Sequence, residues 1–189
     1  MNLPNWMIII RILYLPIIVV CVVLNTKWSN SIALFLLLLS IVGDFIDGRI
    51  ARKYRQVSQF GSFWDQLSDK LLVNLLWVSM LAIGVFPLWA VLLNLVREFT
   101  VHEVRLVAKS KDLILASEKS GKLKAALQMI TVFVAVVFNL FKNIDFDFFG
   151  ISQYYHQILI VLLIITLIVA YYALVEFFVK NKNFIKNIP

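Results

Sequence analysis

Only one cysteine, Cys21, occurs in the chain, and it lies in an apolar run. No internal disulfide can form, so cysteine usage does not reveal the redox compartment. A basic leader is missing as well. The start, MNLPNWMIIIRIL, has no positively charged n-region and carries Arg11 inside its apolar stretch. It reads as an uncleaved first span rather than a signal peptide. No internal repeat is evident, and no segment reads as a water-soluble domain. The polar–apolar alternation of a membrane barrel is absent too, which leaves helices as the way to satisfy the backbone inside a bilayer. Charged residues make up 15% of the chain and hydrophobic ones 61%. With a mean hydropathy of +0.88, the composition excludes an ordinary soluble domain and points to an integral membrane protein.

A helix needs about 20 apolar residues to cross the hydrocarbon core. Six stretches qualify: 6–25, 31–53, 62–84, 88–108, 122–141 and 155–178. Polar or turn residues separate them, as in NTKWSN, GVFP and KNIDFDFFG. The expected fold is all-α: one membrane domain, residues 1–189, with six transmembrane helices. Basic residues outside the spans lie mostly on one side, from Arg52, Lys53 and Arg55 through Lys109, Lys111, Lys119, Lys122 and Lys124 to Lys180, Lys182 and Lys186. Lys27 and Lys142 are left for the other side. This asymmetry predicts cytoplasmic termini and cytoplasmic loops after spans two and four. It also accounts for the net charge of +7, together with attraction to anionic membrane lipid, so no nucleic-acid partner is expected.

Against this background the stretch DFIDGRIARKYRQVSQFGSFWDQLSDK, residues 44–70, is unusual. Asp44 and Asp47 are three apart near the end of span two. Asp65 and Asp69 are four apart near the start of span three. Either spacing puts a pair on one helix face. Spans two and three, joined by a short loop, are expected to be antiparallel neighbours, so the pairs can converge. Four convergent carboxylates need counter-charge to stay ionised. Arg49, Arg52 and Lys70 could supply some, as at any solvated helix end. Divalent metal is the better fit, because hard cations take oxygen ligands and leave positions for substrate phosphates. Two such ions would suit displacement at phosphorus. Ionisable groups at membrane depth usually serve function. Gly48 and Gly61 allow either close helix packing or room for a bulky ligand.

The spacing D-x2-D-G-x2-A-R-x8-G-x3-D-x3-D is met in full by Asp44, Asp47, Gly48, Ala51, Arg52, Gly61, Asp65 and Asp69. It resembles the signature of the CDP-alcohol phosphatidyltransferases, and the six spans match that family's architecture along the whole chain. The resemblance implies transfer of a phospho-group from a CDP-linked donor to an alcohol, with release of CMP. It implies that Asp44, Asp47, Asp65 and Asp69 hold two divalent cations, Mg2+ or Mn2+, and that Asp69 is also the catalytic base. Gly48, Arg52 and Ser58 match positions that contact the CDP portion of the donor. The chemistry of the side chains agrees: Gly48 presents nothing to obstruct a nucleotide, and Arg52 can donate paired hydrogen bonds to phosphate.

Within that family the chain resembles the bacterial phosphatidylglycerophosphate synthases. The resemblance rests on the start with Pro4, Asn5 and Arg11, on DQLSDKLL, and on VREFTVHEVRL and ASEKSGKLKAALQM. Ile8, Gln66 and Ala125 depart from that pattern, which bears on the acceptor more than on the chemistry. This branch implies CDP-diacylglycerol as donor, with Asn5, Gly48, Arg52 and Ser58 binding it, and sn-glycerol 3-phosphate as acceptor. Arg97, Arg105, Lys122 and Lys124 are the candidates for the acceptor's phosphate. For Lys122 and Lys124 the alternative is plain topology, for Arg97 it is pairing with Glu98 or a distant carboxylate, and for Arg105 it is Glu103 or a lipid headgroup. His102 is given no role. The resemblance further implies a homodimer in the bacterial cytoplasmic membrane, with the site facing the cytoplasm. Two other readings stay open: the same chemistry with inositol phosphate, serine or phosphatidylglycerol as acceptor, and a cation transporter. Acidic residues gathered at one membrane end, with no relay in the outer halves of spans two and three, speak against a transporter.

Overall fold

The computed structural model describes residues 3–54, 59–111, 119–144, 146, 151–182 and 184; the side chains of 3–9, 44–63, 65, 66, 151 and 152 are outside the description. Among the described residues six α-helices run in order: α1 Leu3–Leu24, α2 Lys27–Tyr54, α3 Gln59–Ala82, α4 Leu88–Ser110, α5 Lys119–Asn143 and α6 Tyr155–Lys180. A short 3-10 turn, Ile151–Tyr154, precedes α6. Each helix falls on one expected span, and among the described residues there is no strand.

The helix ends differ from the expected ones where local chemistry decides them. α2 starts a turn before residue 31 because Thr26 caps it. Ser29 N–H donates to Thr26 Oγ1 (3.2 Å), and Thr26 N–H donates back to Ser29 Oγ (2.9 Å). This reciprocal pair has the geometry of a capping box, with Ser29 in the place usually held by Glu or Gln. α3 stops where Gly84 adopts φ +74°. Val85 N–H reaches Met80 O (2.8 Å) and Gly84 N–H reaches Leu81 O (2.9 Å), the two bonds of a Schellman motif. Pro87, the N-cap of α4, cannot extend a preceding helix, and its fixed φ suits the start of the next.

The chain divides into two compact units. The first comprises Met1–Val85 and Val132–Tyr155, the second Phe86–Thr131 and His156–Pro189. In the first unit α1 packs against both α2 and α3. Its inward stripe is Arg11, Leu15, Ile18, Cys21 and Val22, all buried, while Ile10, Leu13, Ile17, Val20 and Leu24 face outward. Tyr14 Oη and Ser40 Oγ (3.1 Å) tie α1 to α2. At the α1–α2 turn Asn25 has φ +50°. Its Oδ1 accepts from the side-chain amides of Asn30 (3.0 Å), Asn139 (2.7 Å) and Asn143 (2.8 Å). Asparagine tolerates the left-handed region because its short polar side chain can bond locally.

The second unit is built from α4, the first half of α5 and α6. Its buried residues include Ala90, Val91, Leu159, Leu163, Ala170, Ala173 and Phe177. Thr131 and Thr166 share a hydrogen bond of 2.8 Å, and Tyr171 Oη donates to Leu93 O (3.2 Å). Glu176 accepts from Ser120 Oγ and pairs with Lys180 (2.5 Å). Small residues on α6 allow close approach of neighbouring backbones. Large apolar side chains also point outward on every helix; on α6 they are Val161, Ile164, Ile165, Ile168, Val175 and Val179. Among the described residues two helices, α5 and α6, are long and apolar enough to cross a membrane, by length and composition.

Candidate active site

The carboxylates of the signature belong to the first unit. The backbone places residues 44 and 47 in the last three turns of α2, and residues 65 and 69 in the first three turns of α3. Both helices lean on α1. The side chains of Asp44, Asp47 and Asp65 are outside the described residues, as are those of Asn5, Gly48 and Arg52, and Ser58 is so entirely. Asp69 is described, and its position is informative. Half of its side chain is exposed, and its Oδ1 accepts from Arg11 Nη1 at 3.1 Å. The same Nη1 lies 3.4 Å from Ser68 Oγ. Arg11 itself is 2% exposed. A Cβ added to Gly43 would stand 3.7 Å from Arg11 Nη2, so the guanidinium also lies against α2, one residue before Asp44.

An unpaired charge in such a place would cost several kcal/mol; the bond to Asp69 compensates for it. The sequence shows Arg11 only as an ionisable group within an apolar run, and that was the available signal for a role. What it cannot show is the partner, 58 positions away. As donors for a cation, the signature positions offer carboxylate oxygen alone, and the one described donor is half open. That chemistry fits a hard divalent ion.

The candidates for the acceptor's phosphate lie in the second unit and behave as two sets. Arg97 and Lys124 are buried and converge on Glu98. Arg97 Nη1 donates to Glu98 Oε1 at 3.0 Å, and Lys124 Nζ binds the same oxygen. Arg97 Nε donates to Ala170 O at 3.3 Å, which joins α4 to α6. Gln128 bonds to Asn94 Oδ1 and reaches Glu98 Oε1 at 3.5 Å. Arg105 and Lys122 are exposed. Arg105 stacks over the Phe177 ring, 5.4 Å from its centroid, a cation–π contact. Arg105 and Lys124 thus make separate contacts, the first over the Phe177 ring and the second to Glu98. Arg97 and Arg105 are about 12 Å apart along α4, from the helical rise. Glu98, Gln128 and Asn94 were not among the sequence candidates, and neutral amides within apolar helices give little signal of their own.

Six helices, a carboxylate signature across α2 and α3, and a chain-long match now coincide. The chain belongs to the CDP-alcohol phosphatidyltransferase family, whose model matches residues 1–179. Among similar curated proteins is the CDP-diacylglycerol–glycerol-3-phosphate 3-phosphatidyltransferase of Rickettsia typhi, 33% identical over 136 residues, covering 72% of this chain and 76% of that one. The Bacillus subtilis protein of the same name is 31% identical over 160 residues, covering 78% and 83%. That of Mycoplasma pneumoniae is 30% identical over 152 residues, covering 71% and 67%.

Proposed function

We propose that this protein transfers the phosphatidyl group of CDP-diacylglycerol to sn-glycerol 3-phosphate, giving phosphatidylglycerophosphate and CMP. The observation that carries the reading is Asp69: the last aspartate of the family signature is a half-exposed carboxylate held at one oxygen by a buried arginine. The family match along the chain supports the chemistry, and the relatives' shared name supports the acceptor.

In this reading Asp69 accepts the proton of the acceptor's primary hydroxyl. The hydroxyl oxygen forms a bond to the phosphatidyl phosphorus, the bridging P–O bond breaks, and CMP leaves with the bridging oxygen. Asp44, Asp47, Asp65 and Asp69 would hold two divalent cations, Mg2+ or Mn2+, which would supply neutralisation of the donor's pyrophosphate charge. An ordinary carboxylate is a weak base toward an alcohol, so positioning must supply much of the acceleration. Asn5, Gly48, Arg52 and Ser58 bind the donor. Lys124 and Arg97, with Arg105 and Lys122 outside them, attract the acceptor's phosphate.

The outward apolar stripes of all six helices favour a lipid surrounding over water. With the distribution of lysine and arginine, they support six spans in a bacterial cytoplasmic membrane, cytoplasmic termini and a site facing the cytoplasm. A homodimer is the assembly the family resemblance suggests. The test is an acceptor panel: purified protein, CDP-diacylglycerol and Mg2+, with glycerol 3-phosphate, glycerol, serine, inositol phosphate or phosphatidylglycerol, measuring CMP and the lipid formed. Turnover should be fastest with glycerol 3-phosphate. A different preferred acceptor would overturn the assignment within the family, and absence of CMP release with every acceptor would overturn the chemistry.

A further inference from the structure

We infer that Arg11 is the positioning residue of Asp69, fixing from α1 the direction of the carboxylate that the preceding section makes the base; the inference rests on that reading. Three observations carry it. Arg11 is 2% exposed on the inward stripe of α1, a helix otherwise apolar there. Its Nη1 engages Asp69 Oδ1 and lies within reach of Ser68 Oγ, whose residue is 0% exposed, so two groups on adjacent positions of α3 fix one end of the guanidinium. Its Nη2 lies toward Gly43 on α2, 3.7 Å from where a Cβ would be. One planar group on α1 thus meets both α2 and α3, one residue before position 44 in the first and at Asp69 in the second.

The geometry separates orientation from charge. A guanidinium presents donors in a fixed plane, whereas an ammonium is a point charge on a flexible stem. With Oδ1 engaged from the buried side, the carboxylate cannot rotate freely, and its exposed part keeps one direction. Arg11 touches neither substrate nor leaving group in this account. It acts through Asp69, as groups behind metal ligands orient the ligands they bond.

The test is a double-substitution cycle on the full-length protein in detergent, with Mn2+ binding measured by electron paramagnetic resonance as a readout independent of turnover. Arg11→Lys keeps the charge and removes the fork. It should lower kcat on the order of ten- to a hundredfold and weaken Mn2+ binding in the same direction, as loss of an orienting partner does. The KM for CDP-diacylglycerol should change much less. In an Asp69→Asn background the same substitution should cost less than about threefold, because residues acting through one another are not additive. Equal losses in both backgrounds would show a role independent of Asp69 and overturn the inference. So would an Arg11→Lys protein with parental kcat and Mn2+ affinity. If Arg11→Lys fails to fold, Ser68→Ala removes the second contact without altering charge. It should move kcat and Mn2+ affinity the same way by a smaller factor, and no change in either would overturn the proposal. A parent protein that binds Mn2+ but transfers nothing to glycerol 3-phosphate would break the functional reading instead, while the Mn2+ measurements would still decide the role of Arg11.

Discussion

Each unit contains an ion pair built on a buried cation, Arg11 with Asp69 in one and Arg97 and Lys124 with Glu98 in the other, and the two are built in opposite senses. In the first, a buried cation holds an acid that is half open: the side chains of Arg11 and Asp69 are 3% and 50% exposed. In the second, one acid lies between two buried cations: Glu98 is 12% exposed, against 8% for Arg97 and 6% for Lys124. The first pair leaves the carboxylate half exposed. In the second, two buried cations share Glu98, so an entering anion must compete with that carboxylate. The proposed reaction uses the pair with the exposed acid. The other pair joins α4 to α5.

Breaking the first pair's function should have the largest effect. Excess chelator should abolish turnover, and added Mg2+ or Mn2+ should restore it, as measured by CMP release. Full activity in chelator would refute a metal-dependent site. Asp69→Asn comes next. It should lower kcat by roughly 10²- to 10⁴-fold, the usual worth of a positioned acid or base, and leave the protein folded and able to bind CDP-diacylglycerol. Near-parental turnover would exclude Asp69 as the base.

The second pair should respond first in stability. Glu98→Gln leaves two buried cations without their shared carboxylate, and removing one partner of a buried pair costs roughly 3–5 kcal/mol. A clear fall in Tm is expected in detergent. An unchanged Tm would mean that the cations find other partners and that the cluster is not a packing device. The smallest and most selective effect belongs to the acceptor. Lys124→Ala should raise the KM for glycerol 3-phosphate while changing the donor's KM much less, costing on the order of tenfold to a hundredfold in kcat/KM if one charge-assisted hydrogen bond is lost. Arg105→Ala, at an exposed position, should cost less. Equal losses with uncharged glycerol would show that these residues support structure rather than phosphate binding.

How much was legible beforehand follows the same division. The six helices could be read because each apolar run is long and bounded by turn chemistry. The carboxylates stood out because a spacing of three or four residues is already a statement about a helix face. Arg11 with Asp69 was illegible because their meeting depends on how α1 lies on α3, which no local pattern encodes. Glu98 was considered only as a neighbour of Arg97. Its bond to Lys124 joins residues 26 positions apart, and only the packing of α4 on α5 makes that contact. The start of α2 moved for a smaller reason: Thr26 and Ser29 cap each other in a stretch that composition marks only as a break.

The asparagine cluster at the α1–α2 turn also puts events in order during synthesis. Asn25 and Asn30 leave the ribosome almost together, but Asn139 follows 114 residues after Asn25 and Asn143 118 residues after it. At translation rates of about 5–20 residues per second, the turn waits roughly 6 to 23 seconds for the amides that complete it. The first hairpin is therefore left provisional while the helices after it are made, and the near end of α5 acts as a late latch. A chain stalled short of residue 139 should leave the amides of this turn open to hydrogen exchange that the finished chain protects.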